Sequence, residues 1–372
     1  MEAVAPDLAR IDWTSQGHAL VLAWLGASAG AVIDALLPAE GSKLTWDTQE
    51  VFAGLLERSA PVEYDANRKS VLDVTRGLMR RCESDAEEPS DAVADLFARL
   101  SASAAPSGEC STPWRERTYC FARTDADNNN NNNTPPPEYR LATSLWDASG
   151  GPSADFATVT VRCVDDVLAN GTGTASWAAG VYLAQYVMRH PDVVRGRGVL
   201  ELGCGTGLVG VCVLHGGPRC VVLTDNNPSA LENAQHNVRR WQEANPGSQA
   251  RDVAFEELAW GEAVPASIAE RVADGGVVLA ADVTYDAHNH VPLSRTLAAL
   301  LSGGCARALV ASTVRCADTM ASWRAACEAA GLRVESVADS RQDAEGGVRV
   351  LGVEWGSETV GAWVELQAVT KR

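Results

Sequence analysis

The chain is predicted to fold as an α/β domain, a doubly wound and mostly parallel sheet, behind an N-terminal helical domain. Three observations carry that prediction. An apolar strand runs into a glycine loop and then into an apolar helix over residues 199–214. Short apolar segments then alternate with helical ones as far as residue 312, the pattern of parallel strands joined by crossover helices. Beyond them, segments 332–337, 348–355 and 363–369 are separated by tight glycine turns with no intervening helix, and so read as antiparallel strands.

In chain order, residues 1–102 read as the helical domain. Val51, Phe52, Leu55 and Leu56 form one apolar stripe and Val71, Val74, Leu78 and Met79 a second. Ser90 is placed to cap a third helix, with Val93, Leu96, Phe97 and Leu100 at i, i+3, i+4, i+7 spacing. Such stripes bury against one another; a substrate-docking role is the sharper alternative. Residues 103–137 are rich in Ser, Pro and Gly and end in six asparagines and three prolines. A stretch this polar buries too little apolar area to offset its ordering entropy, so it is expected to be a flexible linker or insertion.

Residues 138–372 carry the α/β domain. Strand character at 157–161 and 164–168 is followed by a Gly-Thr turn at 171–174. Trp177, Val181, Ala184 and Met188 then mark one face of a helix that Pro191 ends. Further strands are expected at 199–202, 221–224, 252–255, 277–281 and 308–312, with a helix at 318–330.

The 372 residues are 46% hydrophobic and 21% charged, enough for a full core in one large and one small domain. A net charge of −17 argues against a nucleic-acid backbone as partner, since phosphates need clustered Lys and Arg. Ten scattered cysteines form no C-x-x-C, so neither a zinc site nor a disulfide framework is indicated. Free thiols fit a reducing cytosol, and a cytoplasmic location is expected. Residues 18–37 have the length of a membrane span but contain Asp34, lack a basic flank, and follow no positive region of a signal peptide. A buried helix is the expectation, with no membrane partner.

The chemistry concentrates at strand ends. Val199–Gly207 reads Val-Leu-Glu-Leu-Gly-Cys-Gly-Thr-Gly, and glycines there let the backbone turn sharply against a bulky ligand. Gly205, Gly207 and Gly210 also satisfy the dinucleotide fingerprint, so a nicotinamide or flavin remains an alternative. Asp225, 18 residues after Gly207, suits ribose hydroxyls in either case. Glu201 before the loop, Trp177 and Trp260 as walls of an adenosine pocket, and Asp282-Val-Thr-Tyr285 at a later strand end favour S-adenosylmethionine.

With these residues, the chain resembles the seven-β-strand protein-lysine N-methyltransferases, and within them the enzymes acting on translation elongation factor 2. The likeness runs from about Gly171 to Val337. It includes Gly-Thr-Ala-Ser-Trp177, the glycine motif, Leu258-Ala-Trp260, Ala280-Ala-Asp-Val-Thr-Tyr285 and Ser312-Thr-Val-Arg315, with a fainter similarity at Pro61-Val-Glu-Tyr. The resemblance implies a seven-stranded Rossmann-like S-adenosylmethionine-dependent methyltransferase domain over 138–372. It implies cofactor contacts from Trp177, Glu201, Gly203, Cys204, Gly205, Asp225, Trp260 and Ala281, and catalytic roles for Asp282 and Tyr285. It also implies a protein substrate, elongation factor 2, and a monomer. Cys204, Asp286 and the asparagine tract depart from the family pattern. A methyltransferase of the same fold acting on another protein or a small molecule is the alternative, and a binding module without catalysis a third.

Residues 282–285 favour an aliphatic amine, because methyltransferases of planar amino groups tend to carry Asn-Pro-Pro-Tyr there. Asp282 is expected to orient the amine as a hydrogen-bond acceptor, and Tyr285 to offer a ring face or hydroxyl. Several residues have plainer readings. Asn226-Asn227-Pro228 is expected to cap a helix. His288 and His290 lack a third ligand and are expected on a surface loop, with no metal. Trp355 and Trp363 are expected to pack in the core or hairpin, and Glu201 could simply hold loop amides.

Overall fold

The computed structural model describes residues 32–33, 36–37, 43–59, 65–102, 114–122, 156–164, 172–247, 252–341 and 363–372. The chain divides into two compact units, Met1–Cys120 with Asp127–Thr158, and Phe121–Ala126 with Val159–Arg372.

The first unit contains helices α1 (Trp46–Ser59), α2 (Asp65–Asp85) and α3 (Asp91–Ala102). Their stripes meet as expected: Phe52, Leu56, Val71, Val74, Leu78, Val93, Leu96 and Leu100 are buried in one cluster with Val32, Ile33 and Leu36. Ser90 Oγ accepts from the Val93 amide at 3.3 Å, capping α3. Buried Gln49 ties α1 to the turn before α3, its Oε1 accepting from Ser90 N at 2.6 Å and its Nε2 donating to Glu88 O at 3.2 Å.

Strands β1 (Trp114–Ala122) and β2 (Phe156–Val164) form a two-stranded sheet. Here the expectations need correcting twice. β1 lies inside the stretch read as linker; the alternation that buries Tyr119 and Phe121 is a period-2 signal hidden beside low-complexity sequence. β2 continues through Arg162 where a break was expected. The backbone there is held by Asn237 on helix α6 (Pro228–Ala244), which accepts from Arg162 N at 2.7 Å and donates to Arg162 O at 3.1 Å.

The second unit holds a seven-stranded sheet. Its further strands are β3 (Gly198–Leu202), β4 (Cys220–Asp225), β5 (Val253–Glu257), β6 (Val277–Ala281), β7 (Arg307–Val314), β8 (Leu332–Asp339) and β9 (Trp363–Lys371). Between them run α4 (Ala178–Arg189), which precedes β3, α5 (Leu208–His215), α7 (Ala266–Val272), α8 (His290–Ser302) and α9 (Ala317–Ala329). The spatial order is β5-β4-β3-β6-β7-β9-β8. The first five of these pair in parallel; β9 pairs antiparallel with both β7 and β8. The expected strand at 348–355, the Pro61-Val-Glu-Tyr motif and most of segment 18–37 lie outside the described residues.

Central strands β3 and β4 are buried along their whole length, which is why they read as continuous apolar runs rather than alternating ones. One apolar core packs α7, α8 and α9 against the sheet through Val272, Leu293, Leu297, Leu300 and Trp323. Within it Trp323 Nε1 donates to Gln367 Oε1 at 2.8 Å, and Gln367 Nε2 donates to Glu365 Oε2 at 2.7 Å. Arg324 closes this chain on Glu365 Oε1 at 2.6 Å. Among the described residues, no helix is long and apolar enough to cross a membrane. Cys82, Cys163, Cys204, Cys212, Cys220, Cys305, Cys316 and Cys327 are free thiols.

Candidate active site

Strand order reverses at β3, which leads to β4 on one side and to β6 on the other. A crevice therefore opens beyond their carboxyl ends, the usual ligand position in such sheets. A cavity of about 330 Å³ lies there. It is lined by all ten residues expected from the sequence: Trp177, Glu201, Gly203, Cys204, Gly205, Asp225, Trp260, Ala281, Asp282 and Tyr285.

One wall is the glycine loop after β3. Gly203, Gly205 and Gly207 all have positive φ (+67°, +51° and +72°), a region that side chains disfavour. A Cβ on Gly205 would also come within 3.2 Å of Gly173 O, and one on Gly203 within 3.2 Å of the Trp260 ring. The end of β4 supports this loop. Asp225 Oδ2 accepts from the Gly205 amide and Oδ1 from the Asn227 amide, both at 3.0 Å. Burial pushes the Asp225 carboxyl above its ordinary range, and these amides oppose the shift. Asn227 caps α6, its Oδ1 accepting from Ser229 N at 3.0 Å, as its sequence suggested.

Glu201, on β3, is the least satisfied group in the cavity. Its side chain is buried (3% exposed), and Oε2 has no hydrogen-bond partner. Burial lifts its pKa to about 8, which the Gly210 amide opposes and the charge of Asp225 reinforces. A buried orphan acceptor beside a glycine cradle fits a ligand that brings a cationic donor. Trp177, at the N-cap of α4, and Trp260 supply flat apolar walls. These residues fit S-adenosylmethionine: cradle, paired tryptophans, a carboxylate with spare lone pairs, and an acid with one oxygen lacking a donor.

The opposite wall is the loop after β6. Asp282 is 8% exposed and has φ +52°, a conformation uncommon outside glycine. Three contacts hold it there. Its amide donates to Ala311 O at 2.8 Å, and its Oδ1 accepts from Thr313 N at 3.3 Å. Its Oδ2 faces the Arg315 guanidinium at 3.6 Å. Burial raises the Asp282 pKa, while Arg315 and the Thr313 amide pull it back. Tyr285 stands at the mouth, 53% exposed.

The two histidines of this loop separate. His288 is exposed and pairs with Asp286 Oδ1 at 2.9 Å, as expected of a surface loop. His290 is not a surface residue. It is 1% exposed, its Nε2 lies 2.9 Å from Thr284 O and its Nδ1 3.1 Å from Ser322 Oγ, and its ring meets Trp323 edge-on. The carbonyl can only accept, so Nε2 carries the proton. Thr284 is fixed a second time through its Oγ1, which donates to Ser312 Oγ at 2.8 Å. His290 and the pairing of Arg315 with Asp282 were not anticipated from the residues. In the sequence Ser312-Thr-Val-Arg315 reads only as a family motif. Among the described residues, no group of three or more His, Cys, Asp or Glu is arranged to hold a metal.

Comparison with known proteins agrees with this geometry. The family model described as lysine methyltransferase matches residues 158–320. The chain is 32% identical to protein-lysine N-methyltransferase EFM3 of Chaetomium thermophilum, over 44% of this chain and 49% of that protein. It is 30% identical to protein-lysine N-methyltransferase EEF2KMT of mouse, over 48% of this chain and 56% of that one. It is 34% identical to protein N-lysine methyltransferase METTL21A of zebrafish, over 41% of this chain and 66% of that one. The matches to the first two thus span about half the length of each relative. With the seven-stranded sheet and its switch-point cavity, the match identifies residues 158–320 as a region of the lysine methyltransferase family.

Proposed function

We propose that the chain is an S-adenosylmethionine-dependent protein-lysine N-methyltransferase, acting in the cytoplasm on translation elongation factor 2. The observation that carries this reading is a single cavity flanked by a glycine cradle on one side and by Asp282 and Tyr285 on the other. The similarity to the mouse EEF2KMT protein and the Ser312-Thr-Val-Arg315 motif support the choice of substrate.

The cofactor, when bound, supplies an electrophilic methyl group. In this reading Trp177 and Trp260 flank it, Gly203, Cys204 and Gly205 let the backbone approach it, and Ala281 leaves room beside it. Both Asp225 oxygens already accept one amide each and retain lone pairs for ribose hydroxyls. Glu201 Oε2 takes the amino group of the cofactor.

The amine must reach the cavity uncharged. At an ordinary pKa near 10.4, deprotonating lysine at pH 7 costs roughly 4–5 kcal/mol. Enclosure in the cavity beside Asp282 and Tyr285 lowers that cost by desolvation. Asp282 accepts a hydrogen bond from the nitrogen and fixes its lone pair in line, and Tyr285 guides the side chain in at the mouth. Transfer is then mainly a matter of alignment.

The test is incubation of the purified protein with radiolabelled S-adenosylmethionine and unmodified elongation factor 2, followed by mass spectrometry of the acceptor. Label on one lysine supports the reading; none on elongation factor 2 removes it. The similarity to the zebrafish METTL21A protein favours a second reading, the same reaction on another protein, which a labelled band of different size in a lysate would reveal.

A further inference from the structure

We propose that Arg315 is a positioning residue for methyl transfer. Facing Asp282 across the ends of β6 and β7, its guanidinium keeps that carboxylate ionised and aimed at the cavity. The slot offered to the amine is then bordered by a neutral ion pair rather than a lone anion. This rests on the lysine methyltransferase reading and adds to it a residue outside the cavity lining.

Without a cation beside it, a carboxylate as enclosed as Asp282 has two fates, and both defeat the reaction. It can take up a proton, losing the acceptor that orients the amine. Alternatively it can adopt the incoming ammonium as its counterion, which holds the lysine in its unreactive charged form. Arg315 prevents both, since its own charge is permanent at any working pH. Placement fits this role. The Arg315 side chain is 36% exposed and that of Asp282 6%, so the guanidinium keeps part of its hydration while the carboxylate does not. Oδ2 faces Arg315 at 3.6 Å while Oδ1 accepts from the Thr313 amide, so the carboxylate plane is fixed from the β7 side.

The other titratable groups around Asp282 are carboxyls, a thiol, a phenol and an imidazole. Glu201 on β3, Cys204 on the glycine loop and Asp225 on β4 line the same cavity, and Tyr285 shares its loop. His290 lies behind that loop, bound to Thr284 O and Ser322 Oγ. Among these groups Arg315 is the permanent cation.

The test uses the full chain labelled with ¹³C in aspartate carboxyls. The Asp282 signal, identified by its loss in Asp282→Asn, is followed against pH in the unaltered protein, Arg315→Gln and Arg315→Lys. S-adenosylmethionine affinity is measured by calorimetry on the same samples. The expected result is a titration midpoint at higher pH in Arg315→Gln, a return toward the original in Arg315→Lys, and cofactor affinities within about twofold of one another. An Asp282 midpoint unmoved in Arg315→Gln would overturn the proposal. Failure of the unaltered protein to bind S-adenosylmethionine would instead remove the methyltransferase reading, and the proposal with it.

Discussion

The two walls of the cavity are built on opposite principles. The wall after β3 and β4 is mostly backbone, with three glycines at positive φ and one carboxylate bonded to loop amides. The wall after β6 also turns through a positive φ, but the residue there is Asp282, held by contacts from 29 to 33 residues further along the chain. A glycine wall is relaxed and general, and can cradle any bulky ligand. The aspartate wall is strained, by an amount on the order of 1–3 kcal/mol, and persists because its neighbours over-determine it. In the proposed reaction, the strained side of the cavity is the one where geometry matters.

The contrast can be broken from either side. Asp282→Ala is expected to lower turnover roughly 100-fold or more while cofactor affinity stays within a few-fold, because only alignment is lost. A steady-state assay paired with calorimetry checks it. Asp225→Ala is expected to do the reverse, weakening S-adenosylmethionine binding by about 10- to 100-fold through loss of charge-assisted hydrogen bonds. Saturating cofactor should then restore most of the rate. If both variants lost binding alone, the walls would not differ in role.

Stability separates the walls further. Burial lifts Glu201 from 4.5 to about 8. Below about 4.5 the folded and unfolded chains both hold the proton. As pH rises the unfolded chain releases it first, so the contribution to stability declines until about pH 8, where the folded side chain ionises too. Glu201→Gln is expected to flatten denaturant midpoints between pH 5 and 8, a difference on the order of a few kcal/mol. Asp225 and Asp282, also raised, slope the same way and remain in the variant as a common background. On the other wall, His290→Ala leaves the Thr284 carbonyl buried without its donor and should cost about 1–3 kcal/mol, read by urea unfolding. The smallest effect is expected from Asn227→Ala, about 1 kcal/mol for a lost helix cap, with little change in turnover.

The same contrast explains what could be read from the residues. The glycine wall was legible because its information is local: Glu201, Gly203, Gly205 and Gly207 lie within seven residues, and Asp225 ends the next strand. The strands β3, β4, β6 and β7 were legible for a similar reason, as short apolar runs between helices. Asp282 and Tyr285 could be named from their position, but not the partners that hold them. Thr313, Arg315 and Ser322 reach the loop only after the chain has passed through α8, and no period or spacing announces such contacts. His290 illustrates this: polar and next to an exposed loop, it is buried because α8 turns it toward Ser322 and Trp323. β1 was missed because its brief alternation sits among prolines and asparagines.

The polar side chains inside β9 have a consequence for how the sheet assembles. Both faces of this strand are covered at most positions, so greasy residues alone would accept a slipped pairing almost as readily as the right one. Gln367 and Glu365 remove that indifference. Sliding β9 by one place along β7 and β8 would separate them from Trp323 and Arg324, leaving Trp323 Nε1, Gln367 Oε1 and Glu365 Oε1 without their partners. They act as the notches of a key, and the lock turns at one setting.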